Sequence, residues 1–417
     1  MNKRALIIAF HFPPQSVSSG IQRTLSFSKH LGSHGWEPLV LSASALAYSD
    51  TNPSQLAQLP PQLVVKRAFA LDAKRHMGVL GRYPEVIALP DRWISWWFSA
   101  VPSGLALIRK YKPSVIWSTF PLATSHLIGL TLHRLTGLPW IADFRDPMLQ
   151  DDFPNTPLQR RAYAWIERQA IKRCHRAVFT TESAMRAYKQ RFPRELHEKF
   201  AVIENGYDED GFSGTATEQI VEDTRDAKEI RLLHSGVLYP EGRNPSAFFE
   251  ALSVLKKRNA SAVRSLRVIL RATGDDAYFQ ALAKKYGVDD IVEIAPLVSY
   301  HIALREMLSV DGLLVFQGAA FNTQVPAKIY EYFRARKPIL GLVEAQGETA
   351  RILRAAGFSS MAPIDDAAGI VPVLENFVAG IQQGTAYVAS DSVIEAASRR
   401  QRARELARIF EYAAATA

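Results

Sequence analysis

Short apolar runs bounded by turn formers recur along the chain, and between them lie stretches whose apolar residues fall at helical spacing. The first, ALIIAF (5–10), is continuous and closed by the prolines of HFPPQ, so it reads as a parallel strand buried on both faces. The loop HFPPQSVSSG follows; then Ile21, Leu25, Phe27 and Leu31 suit a helix, and EPLVLSAS (37–44) a second strand. Strands are predicted again at SVIWST (114–119), PWIADF (139–144) and RAVFTT (176–181), with helices over 125–136 and 158–174. A polar stretch, 208–228, has the composition of a linker. Beyond it a second series reads as strands at 230–236, 266–273, 291–296, 312–318 and 338–343, with helices at 245–258, 277–286, 302–308 and 326–334. This alternation predicts an α/β chain of two tandem Rossmann-like domains, 1–208 and 209–391, facing each other across a cleft. A last helix, about 392–417, carries five arginines and can pack back onto the first domain.

Composition narrows the class. The 417 residues suffice for two domains with separate cores, and 47% hydrophobic residues exclude a disordered chain. With Cys174 as the one cysteine there is no internal disulfide and no cysteine-based zinc site. The longest stretch without Asp, Glu, Lys or Arg, 113–133, holds two prolines, two histidines and six Ser or Thr, too polar for a span. The N-terminus MNKRALIIAF superficially mimics a signal peptide, but its apolar run is short and lacks a cleavage site. Charge is unevenly placed. Residues 1–200 hold 26 Lys and Arg against 13 Asp and Glu, +13, and the rest 24 against 28, −4, giving the total of +9. A basic first half suits a polyanion or an anionic membrane surface; a nucleic-acid partner is disfavoured for want of a recognisable module.

Candidate chemistry lies in the loops after predicted strands. Gly20, at the start of the first helix after Ser18 and Ser19, lets an anion approach backbone N–H groups, or is a plain turn with a serine cap. No G-x-G-x-x-G follows ALIIAF, which argues against a dinucleotide enzyme. LPWIADFRDP ends a strand with Asp143, Arg145 and Asp146 together, either a ligand site or an ion pair shaping the loop. In HSGVLYPEGRNP, Gly236 precedes a loop whose Arg243 can grip a phosphate or be solvated. In FNTQVPAKIYEYFRARKPIL, Pro326 is expected to begin a helix with free N–H groups in its first turn. Lys328 and Glu331, three apart, then offer a cation for phosphate and a carboxylate for hydroxyls, or form a surface ion pair. Asp208-Glu209-Asp210 matches the D-x-D metal pattern but reads as solvated linker. DRWISWWF (91–98) is an interfacial anchor, an acceptor wall or internal packing. The arginines of 158–176 suit anionic lipid or water, and Cys174 reads as a packed thiol.

Together FHFPPQSVSSGIQR, IADFRDP, ENGYD and VPAKIYEYFRARKPIL resemble the retaining, nucleotide-sugar-dependent glycosyltransferases of the GT-B fold, similar to family 4, and the likeness covers nearly the whole chain. The resemblance implies that Gly20 approaches the donor diphosphate and that an Arg/Lys pair after the glycine of the first C-domain strand grips it. Here Val237 and Arg243 hold those places. Of the family's E-x7-E, Glu331 matches the ribose-binding acid, Thr323 stands at the first position, and Lys328 supplies a replacement charge. Arg145 aligns with a strand-end histidine. Donor binding is thus implied for Gly20, Arg145, Gly236, Arg243, Thr323, Pro326, Lys328 and Glu331, and catalysis for Asp146, Arg243 and Lys328. The base is expected against backbone near 295–299.

The expected function is transfer of a sugar from a nucleotide-sugar to a lipid-linked or polysaccharide acceptor in bacterial cell-surface glycan synthesis. It is expected to be retaining, without metal or other cofactor, in the cytoplasm or at the inner membrane face. The alternatives are a catalytically inert GT-B-like subunit and a nucleotide-sugar epimerase.

Overall fold

The computed structural model describes residues 3–16, 20–77, 84–150, 153–213, 229–258 and 260–416. They form two compact units, one of residues 1–205 with 399–417 and one of residues 206–398.

The first unit is built on seven parallel strands: β1 (Lys3–Ile8), β2 (Trp36–Ala43), β3 (Val64–Ala68), β4 (Val115–Thr119), β5 (Trp140–Asp143), β6 (Arg176–Phe179) and β7 (Phe200–Val202). Their order, β3-β2-β1-β4-β5-β6-β7, reverses between β1 and β4, where the ends of neighbouring strands diverge and leave a crevice. Alternation along β1 assigns its two faces. Leu6 and Ile8 enter one apolar cluster with Trp96, Trp140 and Phe144; Ala5 and Ile7 enter another with Trp117 and Phe410. Each leucine, isoleucine or phenylalanine among them, fully withdrawn from water, contributes about 1.5–3 kcal/mol.

The second cluster is completed by the helix Arg399–Ala415, which lays Ala403, Leu406, Phe410 and Ala413 against the sheet. Phe410 meets Trp36 edge to face at 5.2 Å. The single helix expected after residue 391 is therefore two, Asp391–Ala396 and Arg399–Ala415, interrupted where Ser398 bridges to Tyr207.

The second unit has six parallel strands: β8 (Ile230–Ser235), β9 (Leu266–Arg271), β10 (Val292–Ala295), β11 (Gly312–Gln317), β12 (Ile339–Val343) and β13 (Met361–Ala362). Their order is β10-β9-β8-β11-β12-β13, reversing between β8 and β11. Leu232 and Leu233 point into clusters on opposite faces of this sheet.

The periodicity misses β3, β7 and β13, all outer strands; Lys66 and Arg67 break the apolar run of β3. Of the expected linker, residues 214–228 lie outside the described residues. At its start Asp208 is 6% exposed and accepts from Asp210 N, while Glu209 and Asp210 are exposed as expected; Glu209 opens the short helix Glu209–Ser213 and pairs with Arg334. DRWISWWF turns out to be internal packing at its tryptophans. Trp96 is buried, Trp93 Nε1 donates to Ala47 O at 3.1 Å, and Trp97 Nε1 donates to Thr131 Oγ1 at 3.0 Å; Phe98 alone is largely exposed.

Candidate active site

The second unit gathers cations where its strand order reverses. Gly236 leaves β8 at φ +139°, a conformation that side chains rarely tolerate, and its N–H donates to Arg271 O at 2.8 Å. The space a Cβ would need is taken: it would lie 1.8 Å from Lys328 Nζ. The Lys328 amine makes no hydrogen bond or ion pair with the described residues. Burial pushes its pKa down to about 8, with Arg243 acting in the same direction and Glu331 opposing.

Arg243 is fixed from three sides. Its Nε donates to Gln317 Oε1 at 3.0 Å, and its guanidinium lies 5.4 Å from the Tyr239 ring and 5.1 Å from the Phe321 ring. Gln317 is held in turn, its amide donating to Phe321 O and Gln324 O. With Nε engaged, the terminal nitrogens make no hydrogen bond with the described residues, the arrangement a phosphate needs. Burial lowers the pKa of this group too, without neutralising a guanidinium.

Glu331 does not pair with Lys328, the alternative their spacing left open; it accepts a 2.8 Å hydrogen bond from Tyr300 Oη. The helix begins at Lys328 rather than Pro326, because Pro326 and Ala327 form a preceding turn. Ile329 N donates to Pro326 O at 3.1 Å and Tyr330 N to Ala327 O at 3.4 Å, so these first-turn donors are engaged. Thr323 is exposed in the loop before that turn, and Val237 is 41% exposed beside Gly236. A cavity of about 510 Å³ opens near Gly242 and Gly318, but Glu241, Glu250, Glu344 and Asp365 line it. Four carboxylates repel a diphosphate, whereas the cations of the second unit's reversal point, Arg243 and Lys328, gather beside Gly236.

In the first unit Gly20 is buried and opens the helix Gly20–His30; Val17 to Ser19 lie outside the described residues. The ion pair after β5 joins Asp143 to Arg23, not to Arg145. Arg23 Nε and Nη2 donate to the two Asp143 oxygens at 3.1 and 2.8 Å, and Thr119 Oγ1 adds a 2.8 Å bond. Asp143 is thus satisfied, whereas Arg145 and Asp146 follow it half-buried. Near Arg145 lies His11, whose Nδ1 meets Gln15 Oε1 at 2.8 Å; burial brings its pKa down to about 4, with Arg145 a smaller cause.

Arg23, His11, Gln317 and Tyr300 were not picked out in the sequence. The one available signal was Arg23, a charge among the apolar positions of its helix. Cys174 is buried, with its thiol pKa pushed up to about 12. Among the described residues no group of three or more His, Cys, Asp or Glu is placed to hold a metal, and no helix is long and apolar enough to cross a membrane.

Residues 20–206 match the family model of the glycosyl transferase 4-like domain. The whole chain superposes on solved glycosyltransferase structures. The fold is GT-B. Anabaena Alr3699/HepE, solved in complex with UDP, is 13% identical with a TM-score of 0.66, over 98% of this chain and 100% of that one. A glycosyltransferase from Rickettsia africae ESF-5 is 14% identical, TM-score 0.63, over 99% and 98%. WaaG, a glycosyltransferase involved in lipopolysaccharide biosynthesis, is 15% identical, TM-score 0.54, over 99% and 98%. No curated protein matches the sequence.

Proposed function

We propose that this GT-B chain is a glycosyltransferase that takes a sugar from a nucleotide-sugar and passes it to a lipid-linked or polysaccharide acceptor, with retention and without a metal. The observation that carries the reading is a pair of cations with donors left open, the Lys328 amine against the backbone of Gly236 and the terminal nitrogens of Arg243, whose Nε is held by Gln317. The UDP complex of Alr3699/HepE and the domain match over 20–206 support it.

In this reading the diphosphate lies over Gly236, and Lys328 and Arg243 neutralise the charge that builds on it as the glycosidic bond to phosphate breaks. Fixed cations do this without reorganising at the moment of reaction. Glu331, with Tyr300 on one of its oxygens, accepts from ribose hydroxyls. The acceptor hydroxyl gives its proton to a phosphate oxygen or to Asp146.

Membrane contact is assigned to the first unit. Its helix Pro157–Arg173 exposes Leu158 and Trp165 along with Arg161, Arg168, Lys172 and Arg173, an apolar and cationic mixture suited to anionic headgroups. On this reading the protein works at the inner face of a bacterial membrane. A second reading, an inert nucleotide-sugar-binding subunit, is favoured by Val237, an apolar side chain where the resembling enzymes carry a cation.

Calorimetry of the full chain with UDP-, GDP-, ADP- and dTDP-sugars tests the reading. Binding of at least one, followed by transfer in a membrane extract, is expected. Binding without transfer would favour the inert subunit, and binding of none would sink both.

A further inference from the structure

Arg145 is a charge with nothing to do inside its own unit. Its side chain makes no hydrogen bond or ion pair with the described residues, and its Nε is enclosed without a partner. A guanidinium cannot escape this by losing its proton. Burial and the neighbouring guanidiniums of Arg23 and Arg399 oppose its charge, while Asp146 and Asp143 favour it. Asp143, however, is already taken by Arg23 and Thr119.

Arg23 and Asp143 thus pair with each other, which leaves Arg145 and Arg399 facing the one remaining carboxylate of this neighbourhood, Asp146. His11, on the loop after β1, adds no negative charge, and its Nδ1 is occupied by Gln15. An excess positive charge, partly withdrawn from water and left unbonded, is stable only at a cost, and an oxyanion would remove that cost. The planar guanidinium matches a two-oxygen group, a carboxylate or a phosphate, far better than a neutral hydroxyl.

We propose that Arg145, with Arg399 and His11 beside it, forms an anion site in the first unit, and that the sugar or acceptor taken there carries a carboxylate or a phosphate. This rests on the glycosyltransferase reading and narrows its substrate class from any glycan to an acidic one. Arg145 is the specificity-determining residue: a neutral substrate leaves its charge unpaired, so discrimination comes from the enzyme's own unsatisfied group.

The test uses the full-length chain with Arg243→Ala and Lys328→Ala, which removes the second unit's cations so that anion binding reports on the first. It is titrated calorimetrically with inorganic phosphate, D-glucuronate and D-glucose. Saturable binding of phosphate or glucuronate, none of glucose, and a loss of about ten-fold or more in affinity on adding Arg145→Gln are expected. Arg145→Lys should fall between. Binding of phosphate alone assigns a phosphorylated substrate, and of glucuronate alone a uronate.

Failure of both anions to bind, or binding unchanged by Arg145→Gln, overturns the inference. So does a melting temperature lowered by more than about 5 °C in Arg145→Gln, since a merely structural arginine would show that loss. UDP binding by the unaltered chain separates the outcomes. UDP bound with no Arg145 effect removes this inference alone, and no UDP bound removes the transferase reading beneath it.

Discussion

The amine of Lys328 fills the position that a side chain on residue 236 would occupy, 1.8 Å from where its Cβ would stand. Gly236→Ala should therefore displace Lys328 as well as strain a backbone at φ +139°. We expect donor affinity to fall about ten-fold, and Gly236→Ala in a Lys328→Ala background to cost less than the two changes added. Titration of the four proteins with UDP measures this coupling; strict additivity would mean that the two residues act separately.

Protonation of the same amine sets a pH dependence. Its pKa is pushed down to about 8 in the folded chain, from 10.5. UDP affinity should fall as pH rises through about 8, and binding near pH 8 to 9 should draw a proton from the buffer. Calorimetry in buffers of different ionisation enthalpy reads that uptake. For the ligand-free chain the sign reverses. The unfolded state binds more protons between about 8 and 10.5, so the contribution of Lys328 to stability rises with pH across that window. Lys328→Met should abolish the rise, which denaturant titration at several pH values would show.

Arg243→Ala and Lys328→Ala should each lower sugar transfer by about 10²-fold or more, through the charge on the departing diphosphate. Arg243→Lys should recover little of it. A lysine has no Nε–H to place on Gln317 and no planar group to lie against Tyr239 and Phe321. Turnover kept by Arg243→Ala would take that residue out of the mechanism.

Arg23 and Asp143 are both buried and joined by two hydrogen bonds. Removing one partner strands the other charge, so Arg23→Ala or Asp143→Ala should each destabilise the first unit by about 3–5 kcal/mol in urea titrations. The second unit's unfolding transition should be unmoved.

Much of the architecture could be read from local pattern because β4 and β11 are buried throughout and β1 and β8 over their last four residues. The outer strands escaped notice for the opposite reason: β3 needs only part of its surface covered and carries Lys66 and Arg67. The candidate site was legible so far as spacing alone puts Lys328 and Glu331 on one helix. It was illegible where the partner is remote. Arg23 reaches Asp143 across 120 positions, and Arg243 reaches Gln317 across 74. The helix expected from Pro326 is present but starts two residues later, after a turn at 326–327 that engages donors the pattern left open.

The helix that completes the first unit's second apolar cluster is made after every residue of the other unit. During synthesis, residues 206–398 can finish folding while Trp36 and its neighbours still wait for Phe410. The two units thus mature in the reverse of their order of appearance. A fragment ending near residue 205 is an unfinished domain with an open apolar face, so experiments on the first unit must carry residues 399–417 with it.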